Sequence, residues 1–210
     1  MSMTTDTTPL ETLDEKRIER DPIKLFQRWL DDAIAAKLPL PEAMSLATAT
    51  PEGRPSARMV LLKQVDQDGF VFFTNYHSAK AAQLESNPYA ALVFYWSPFE
   101  RQVRVEGKVE RTSAEESEVY FQTRPRESQI GAWASPQSNV IAGREVLEQR
   151  AQELEEYYRD REIECPGHWG GYRLRPDKIE FWKGRPGRLH DRLLYELLSD
   201  GTWAIKRLAP

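Results

Sequence analysis

The chain has 210 residues, 29 Lys+Arg against 33 Asp+Glu for a formal net charge of −4, and is 40% hydrophobic and 30% charged. These values describe a globular protein and exclude a disordered, collagenous or coiled-coil chain; the acidic total also runs against a general nucleic-acid binder, which presents a basic domain. Cys165 is the single cysteine, so an intrachain disulfide and a Cys-rich zinc site are both excluded, and one lone thiol fits a reducing cytoplasm.

Residues 1–20 are polar, lack the apolar run of a signal peptide and read as a mobile arm; residues 21–210 read as one domain. No run approaches the ~18 apolar residues of a membrane span. Asp21-Pro22 starts the first helix, as an N-cap followed by proline at the first helical position. Leu25, Phe26, Trp29, Leu30, Ala33 and Ile34 give it one apolar face before Pro39.

The period then changes. Ala43–Thr50 and Ser56–Val65 read as strands around the turn Pro51-Glu52-Gly53-Arg54, and Phe70–Thr74 as an apolar strand. Ser78 caps a short helix over Ala79–Glu85. Tyr89–Trp96 and Gln102–Arg111 are further strands, the second with one polar face. Ser113 and Glu116 make a capping-box pattern for a helix to Thr123, which Pro125 stops. Arg144–Glu164 reads as a long charged helix on the outside. Four strands follow: Gly171–Leu174, Lys178–Trp182, Leu193–Leu198 and Thr202–Leu208. Many strands with few helices between them imply a closed or half-open antiparallel barrel, mainly β, with helices packed outside.

No GxGxxG follows a strand, and neither a P-loop, a GxSxG elbow nor an HExxH is present. What stands out is cations beside strands and turns. Lys63 ends the apolar run Arg58-Met59-Val60-Leu61-Leu62; it meets an anion there or reaches past the edge to water. Thr74 to Lys80 runs from a strand end into a helix start, where amides, hydroxyls and Lys80 can converge on a phosphate. Tyr120 and Arg124 share a helix face and, with Ser128, offer a phenol, a guanidinium and a hydroxyl. The alternative for that loop is a set of solvated arginines. From Gly171 to Arg192 there are seven basic and three acidic residues, +4 inside a −4 protein, with Arg188, His190 and Arg192 alternating near Trp182.

The runs RMVLLK, FFTNYHSAKA, FERQVRVEGKVER, YFQTRPRESQIGAWASPQS, HWGGYRL, IEFWKGRPGRLHDRLLYE and the terminal RLAP resemble the pyridoxine (pyridoxamine) 5′-phosphate oxidase family, in order from about Asp21 to Pro210. The resemblance implies an FMN-binding split β-barrel and a homodimer whose two FMN sites are each built from both chains. It implies that Arg58, Met59, Val60, Leu61, Leu62, Lys63, Phe73, Thr74, Lys80 and Gln102 hold FMN from one subunit. Gln137, Ser138, Trp182 and Arg192 would approach from the other. Lys63, Tyr120, Arg124 and Ser128 would bind the substrate phosphate, and Arg188 and His190 would act at the pyridine ring as the catalytic pair. The implied reaction oxidises pyridoxamine or pyridoxine 5′-phosphate with oxygen to pyridoxal 5′-phosphate and hydrogen peroxide, without metal, nucleic acid or membrane. The chain departs from the family pattern twice. Ala79 stands where the family commonly has arginine, and the arm ending LDEKRIER has no tyrosine. A flavin oxidase of the phenazine-biosynthesis type and a non-catalytic FMN or pyridoxal-phosphate binding protein are the alternatives.

Overall fold

The computed structural model describes residues 12–210. Helix α1 (Pro22–Ala35) precedes strands β1 (Ala43–Ala49), β2 (Pro55–Leu61), β3 (Gln64–Asp66) and β4 (Gly69–Asn75). Helix α2 (Ala79–Ser86), strands β5 (Tyr89–Trp96) and β6 (Arg101–Arg111), and helices α3 (Ala114–Gln122), α4 (Arg126–Ala134) and α5 (Arg144–Tyr157) follow. Strands β7 (Trp169–Lys183), β8 (Asp191–Leu197) and β9 (Trp203–Arg207) complete the chain. The nine strands form one curled sheet in the order β2-β1-β5-β6-β7-β4-β3, with β8 added to β7 and β9 to β8, and every pairing is antiparallel. This is the mainly β half-barrel with outer helices that the sequence implies.

The core follows from the apolar alternation. Leu92 and Phe94 of β5, Val103 and Val105 of β6, and Ile179 and Phe181 of β7 are fully buried on one face of the sheet. Helix α1 covers that face. Phe26 sits edge-on between Phe70 at 4.9 Å and Phe94 at 4.8 Å, and Trp29 meets Phe181 at 5.2 Å. Asp21 caps the helix, its carboxylate accepting from the Ile23 and Lys24 amides. The buried stripe ends at Ala33, and Ile34, read as part of it, is exposed. A smaller core of Phe121, Ile130, Tyr158, Ile163 and Trp169 lies under the helices α3 to α5.

Four local differences from the sequence reading have physical reasons. The strand read over Ser56–Val65 breaks at Leu62-Lys63. The Leu62 amide donates to Glu42 on one side and the Lys63 amide to Val71 on the other, so the chain changes neighbours there. The two strands read over 171–174 and 178–182 are one strand, β7, whose register shifts opposite Glu106 and Gly107. A Cβ on Gly107 would lie 2.0 Å from the Arg175 carbonyl oxygen, so the shift needs glycine. Helix α5 stops at Tyr157, short of Glu164, because Tyr158 and Ile163 turn inward to the smaller core. Helix α4 was not legible in the sequence; it starts directly after Pro125, which fixes its N-cap.

Of the arm read over 1–20, residues 1–11 lie outside the described residues. Residues 12–20 lie against the barrel. Leu13 is buried, the Tyr195 hydroxyl donates to the Glu19 carbonyl at 2.7 Å, and Arg207 reaches the Leu13 carbonyl and the Glu15 carboxylate. Among the described residues, no helix is long and apolar enough to cross a membrane, and no cluster of three or more His, Cys, Asp or Glu side chains could hold a metal.

Candidate active site

A cleft of about 660 Å³ runs between β2, the end of β4, the start of α2 and the α3–α4 corner. Among the described residues, strand β2 has β1 as its only ladder partner, so one of its edges borders the cleft. Arg58, Met59, Val60 and Leu61 come from this edge, Lys63 from the break after it, Phe73 and Thr74 from β4, Lys80 from α2, Tyr120 from the last turn of α3, Arg124 from just past its end rather than from the same helix face, Ser128 from α4 and Gln137 from the loop beyond it. Sequence positions far apart thus converge on one cavity. Leu62 does not; it points into the core.

Two cationic centres occupy the cleft. The first is Lys80 with Arg58. The Lys80 ammonium donates to Thr74 Oγ1 at 3.0 Å, Ser78 Oγ at 3.3 Å and Gln137 Oε1 at 2.9 Å. Arg58 donates to the Leu46 carbonyl, Thr48 Oγ1 and Gln83 Oε1. All these partners are neutral, and no described carboxylate balances either charge. Burial, with the Arg58 charge adding to it, brings Lys80 down to about 8, and burial also lowers Arg58. Two desolvated cations held by neutral groups form a seat for an anion. Ser138 adjoins it, its hydroxyl accepting from the Ala79 amide at 3.1 Å.

The second centre is Arg124. Its guanidinium lies 4.6 Å from the Trp169 ring and 5.5 Å from Phe121, and its Nη1 is buried with no hydrogen-bond partner. Burial lowers its pKa. A buried N–H of a charged group without an acceptor is costly, so this atom lacks a partner that an anion in the cleft would supply. Tyr120 stands beside it, stacked on Phe73 at 4.0 Å, and Phe73 continues the stack to Trp169 at 5.3 Å. Lys63 is exposed between this cleft and an adjoining hollow of about 380 Å³ that shares Phe73 and Tyr120. Trp169 and Asn75 line the cleft without having been singled out from sequence. An aromatic opening the strand before Gly170-Gly171 was the available signal for Trp169.

The remaining sequence candidates form a separate group. Gln102 pairs with Trp182 across β6 and β7, and Trp182 with Arg192 across β7 and β8. The His190 ring lies 4.7 Å from Trp182. Arg192 donates to the Glu180 carboxylate through Nε at 2.7 Å and Nη2 at 3.1 Å, and this pairing raises its pKa. Arg188 is exposed at a turn with φ +61°, directly after Gly187 at +67°. None of the five lines the cleft. Trp169 opens β7 and Trp182 almost closes it; at about 3.3 Å per residue, that span exceeds the reach of any side chain. Gln137 and Ser138, assigned by the resemblance to the opposite subunit, lie instead with Lys80 and Ala79 of the same chain.

Comparison with known proteins adds the family. Residues 30–158 match the family described as Pyridoxamine 5'-phosphate oxidase, and residues 169–210 match the Pyridoxine 5'-phosphate oxidase C-terminal dimerisation region. The chain is 57% identical over 201 residues to the pyridoxine/pyridoxamine 5'-phosphate oxidase of Trichormus variabilis, covering 96% of this chain and 94% of the relative. It is also 57% identical to the oxidase of that name from Burkholderia lata, covering 95% and 94%. Among solved structures, PhzG from Burkholderia lata, in complex with tetrahydrophenazine-1-carboxylic acid, superposes with a TM-score of 0.88 at 32% identity, over 93% of this chain and 95% of that one. A pyridoxamine 5'-phosphate oxidase-related, FMN-binding protein from Nostoc punctiforme shares the fold with a TM-score of 0.72 at 19% identity, over 92% and 100%. Matched along nearly its whole length, the chain belongs to the pyridoxine/pyridoxamine 5′-phosphate oxidase family.

Proposed function

We propose that the chain oxidises pyridoxamine and pyridoxine 5′-phosphate at C4′ with oxygen, yielding pyridoxal 5′-phosphate and hydrogen peroxide. Residues 21–210 act as one FMN-binding unit within a homodimer. The carrying observation is the pair of cationic centres in one cleft, Lys80 with Arg58 and the partnerless Arg124, which together suit two phosphorylated ligands.

The cofactor is FMN, and the first centre fits its phosphate: Arg58 and Lys80 supply charge, while Thr74, Gln137 and Ser138 supply neutral polar groups. The β2 edge from Met59 to Leu61 borders the space for its ring. Ala79 carries no side-chain donor here, which leaves the charge to Lys80 and Arg58. FMN held there would supply the two-electron acceptor for oxidation at C4′, with oxygen as the final oxidant. Arg124, Tyr120, Ser128 and Lys63 anchor the substrate phosphate. Anchoring one end fixes where the other can lie, which converts binding into orientation.

Gln102, Trp182, Arg192, Arg188 and His190 reach the cleft of the opposite chain, since β7 separates them from their own. His190 Nδ1 accepts the Arg185 amide at 3.1 Å, so its ring proton sits on Nε2, free to donate to the substrate. Arg188 offers a guanidinium with no partner among the described residues, whose charge orients the substrate and favours loss of its proton. Trp182 and Arg192 close the flavin side.

A second reading, oxidation of a phenazine precursor, is favoured by the likeness to PhzG. Within Burkholderia lata, however, the chain is 57% identical to the vitamin B6 oxidase and 32% to PhzG. The deciding experiment supplies FMN-loaded protein with pyridoxine 5′-phosphate and follows oxygen uptake and pyridoxal 5′-phosphate absorbance. Turnover is expected; loaded protein that leaves the ester untouched and oxidises tetrahydrophenazine-1-carboxylic acid overturns the first reading. Arg124→Gln should raise KM for the ester roughly ten- to a hundredfold, from the ~1.5–3 kcal/mol of a charged hydrogen bond, and change kcat little.

A further inference from the structure

The turn from Gly184 to His190 carries both residues assigned to the pyridine ring, yet its backbone is held in an unfavourable shape. Gly187 and Arg188 are left-handed in succession, at +67° and +61°, and Arg188 has a side chain. Something must hold the turn. At one end the Gly184 amide donates to the Glu100 carbonyl at 2.8 Å. At the other stands Asp191, buried as the first residue of β8 and absent from the site residues read from sequence.

Asp191 is shared by two arginines. Arg185 Nε donates to its Oδ2 at 2.7 Å, and Arg207 Nη1 donates to its Oδ1 at 2.9 Å. Arg185 also donates its amide to His190 Nδ1, so the residue held by Asp191 in turn holds the imidazole. Arg207 continues outward to the Glu15 carboxylate and the Leu13 carbonyl. A continuous chain of polar contacts therefore joins residues 13–15, the last strand, Asp191 and the turn. Burial alone would raise the Asp191 carboxyl, but hydrogen bonds from Arg185 and Arg207 outweigh it and hold it below the usual carboxylate range. It stays charged at neutral pH.

We propose that Asp191 is a positioning residue: by clamping Arg185 and Arg207 it sets the Gly184–His190 turn, aims Arg188 and His190 at the substrate, and latches that turn to the N-terminal segment through Glu15 and Leu13. The role rests on the function proposed above. Asp191 touches no ligand itself; its effect passes through the two residues that do.

The test is Asp191→Asn in FMN-loaded protein, alone and combined with Arg188→Ala. Alone, the substitution should lower kcat/KM for pyridoxine 5′-phosphate about tenfold or more, with FMN affinity unchanged, because a small misplacement of reacting groups is expensive in rate. In the Arg188→Ala background its further effect should be clearly smaller, since of the two residues it aims only His190 remains. Equal losses in both backgrounds, or unchanged turnover of the single variant, overturn the proposal. Limited trypsin digestion gives a readout without activity: cleavage between Arg188 and Leu189 should be several-fold faster in Asp191→Asn, and an unchanged rate overturns the proposal. If the parent protein does not oxidise the ester, the function fails on its own and the digestion still decides the clamp. If Asp191→Asn does not fold, Arg207→Gln breaks the same chain at a side chain that is 40% exposed and is judged by the same outcomes.

Discussion

The Lys80 ammonium, brought to about 8 by burial and by Arg58, links pH to both stability and ligand affinity. Its pKa in the folded chain lies below the ordinary lysine value. The empty protein therefore loses stability as pH falls from the ordinary lysine range through about 8, because the unfolded chain there holds a proton that the folded site binds weakly. A bound phosphate reverses this by favouring the charged form. FMN affinity should then be flat from neutrality to about pH 8 and weaken above it, as read by quenching of flavin fluorescence. Lys80→Met should abolish that pH dependence and weaken FMN by roughly ten- to a hundredfold. The same change should leave the Tm of the empty protein equal or higher, because an unbalanced buried cation has gone. A fall in that Tm would contradict the account. Cys165, pushed up to about 11 by burial, is protonated at neutral pH and should resist iodoacetamide in the folded protein, as its reading as an inert thiol implies. Lys80 was legible in the sequence because it follows hydroxyls and amides where a strand end runs into a helix start, and Arg124 because its spacing sets it beside Tyr120. Asp191 was not, because its partner Arg207 and the Leu13 that Arg207 binds lie at opposite ends of the chain.

At the scale of elements, local chemistry was readable where it closed within a few residues. Ser113 and Glu116 form the capping box that their spacing implied, and Asp21 caps α1. Ser113→Ala should cost about 0.5–2 kcal/mol in urea unfolding, with an unchanged slope. Helix α4 escaped because its short run mixes Gln129, Ile130 and Ala134 on its buried side with Gly131 and Ala132 towards the cleft, which leaves no apolar stripe. The break at Leu62-Lys63 and the continuity of β7 escaped for another reason: both depend on which strand lies alongside, and neighbours in space carry no local mark. Gly107 is the exception that could have been suspected, since an interior strand glycine often marks a bulge. Gly107→Ala sets a methyl against the Arg175 carbonyl and should cost about 1–3 kcal/mol, measured in the same way.

For the whole molecule, the decisive fact is that the two groups of candidate residues occupy opposite ends of β7. A symmetric pair of chains would solve this, because a two-fold axis can bring one end of each copy to the other end of its partner. The family's dimerisation region, matched by residues 169–210, contains all of β7, β8 and β9. At ester concentrations far below the raised KM of Arg124→Gln, co-expressing Arg124→Gln chains with Arg188→Ala chains should restore about a quarter of the native activity, because half the dimers are mixed and each mixed dimer has one intact site. If each site belonged to one chain alone, mixing would restore nothing. On the proposed function, strand β7 would act as a ruler as well as a partner in the sheet. Its 15 residues set the distance between the half-site at Trp169 and the half-site at Trp182. Removing two residues of β7 opposite the Gly107 bulge would keep every side chain on its proper face yet shorten the span by about 6.6 Å. Such a chain could still fold and pair, with two half-sites that no longer meet. Strand length, which stability alone leaves loosely constrained, would on the proposed function be fixed by the size of the ligand pair between two molecules.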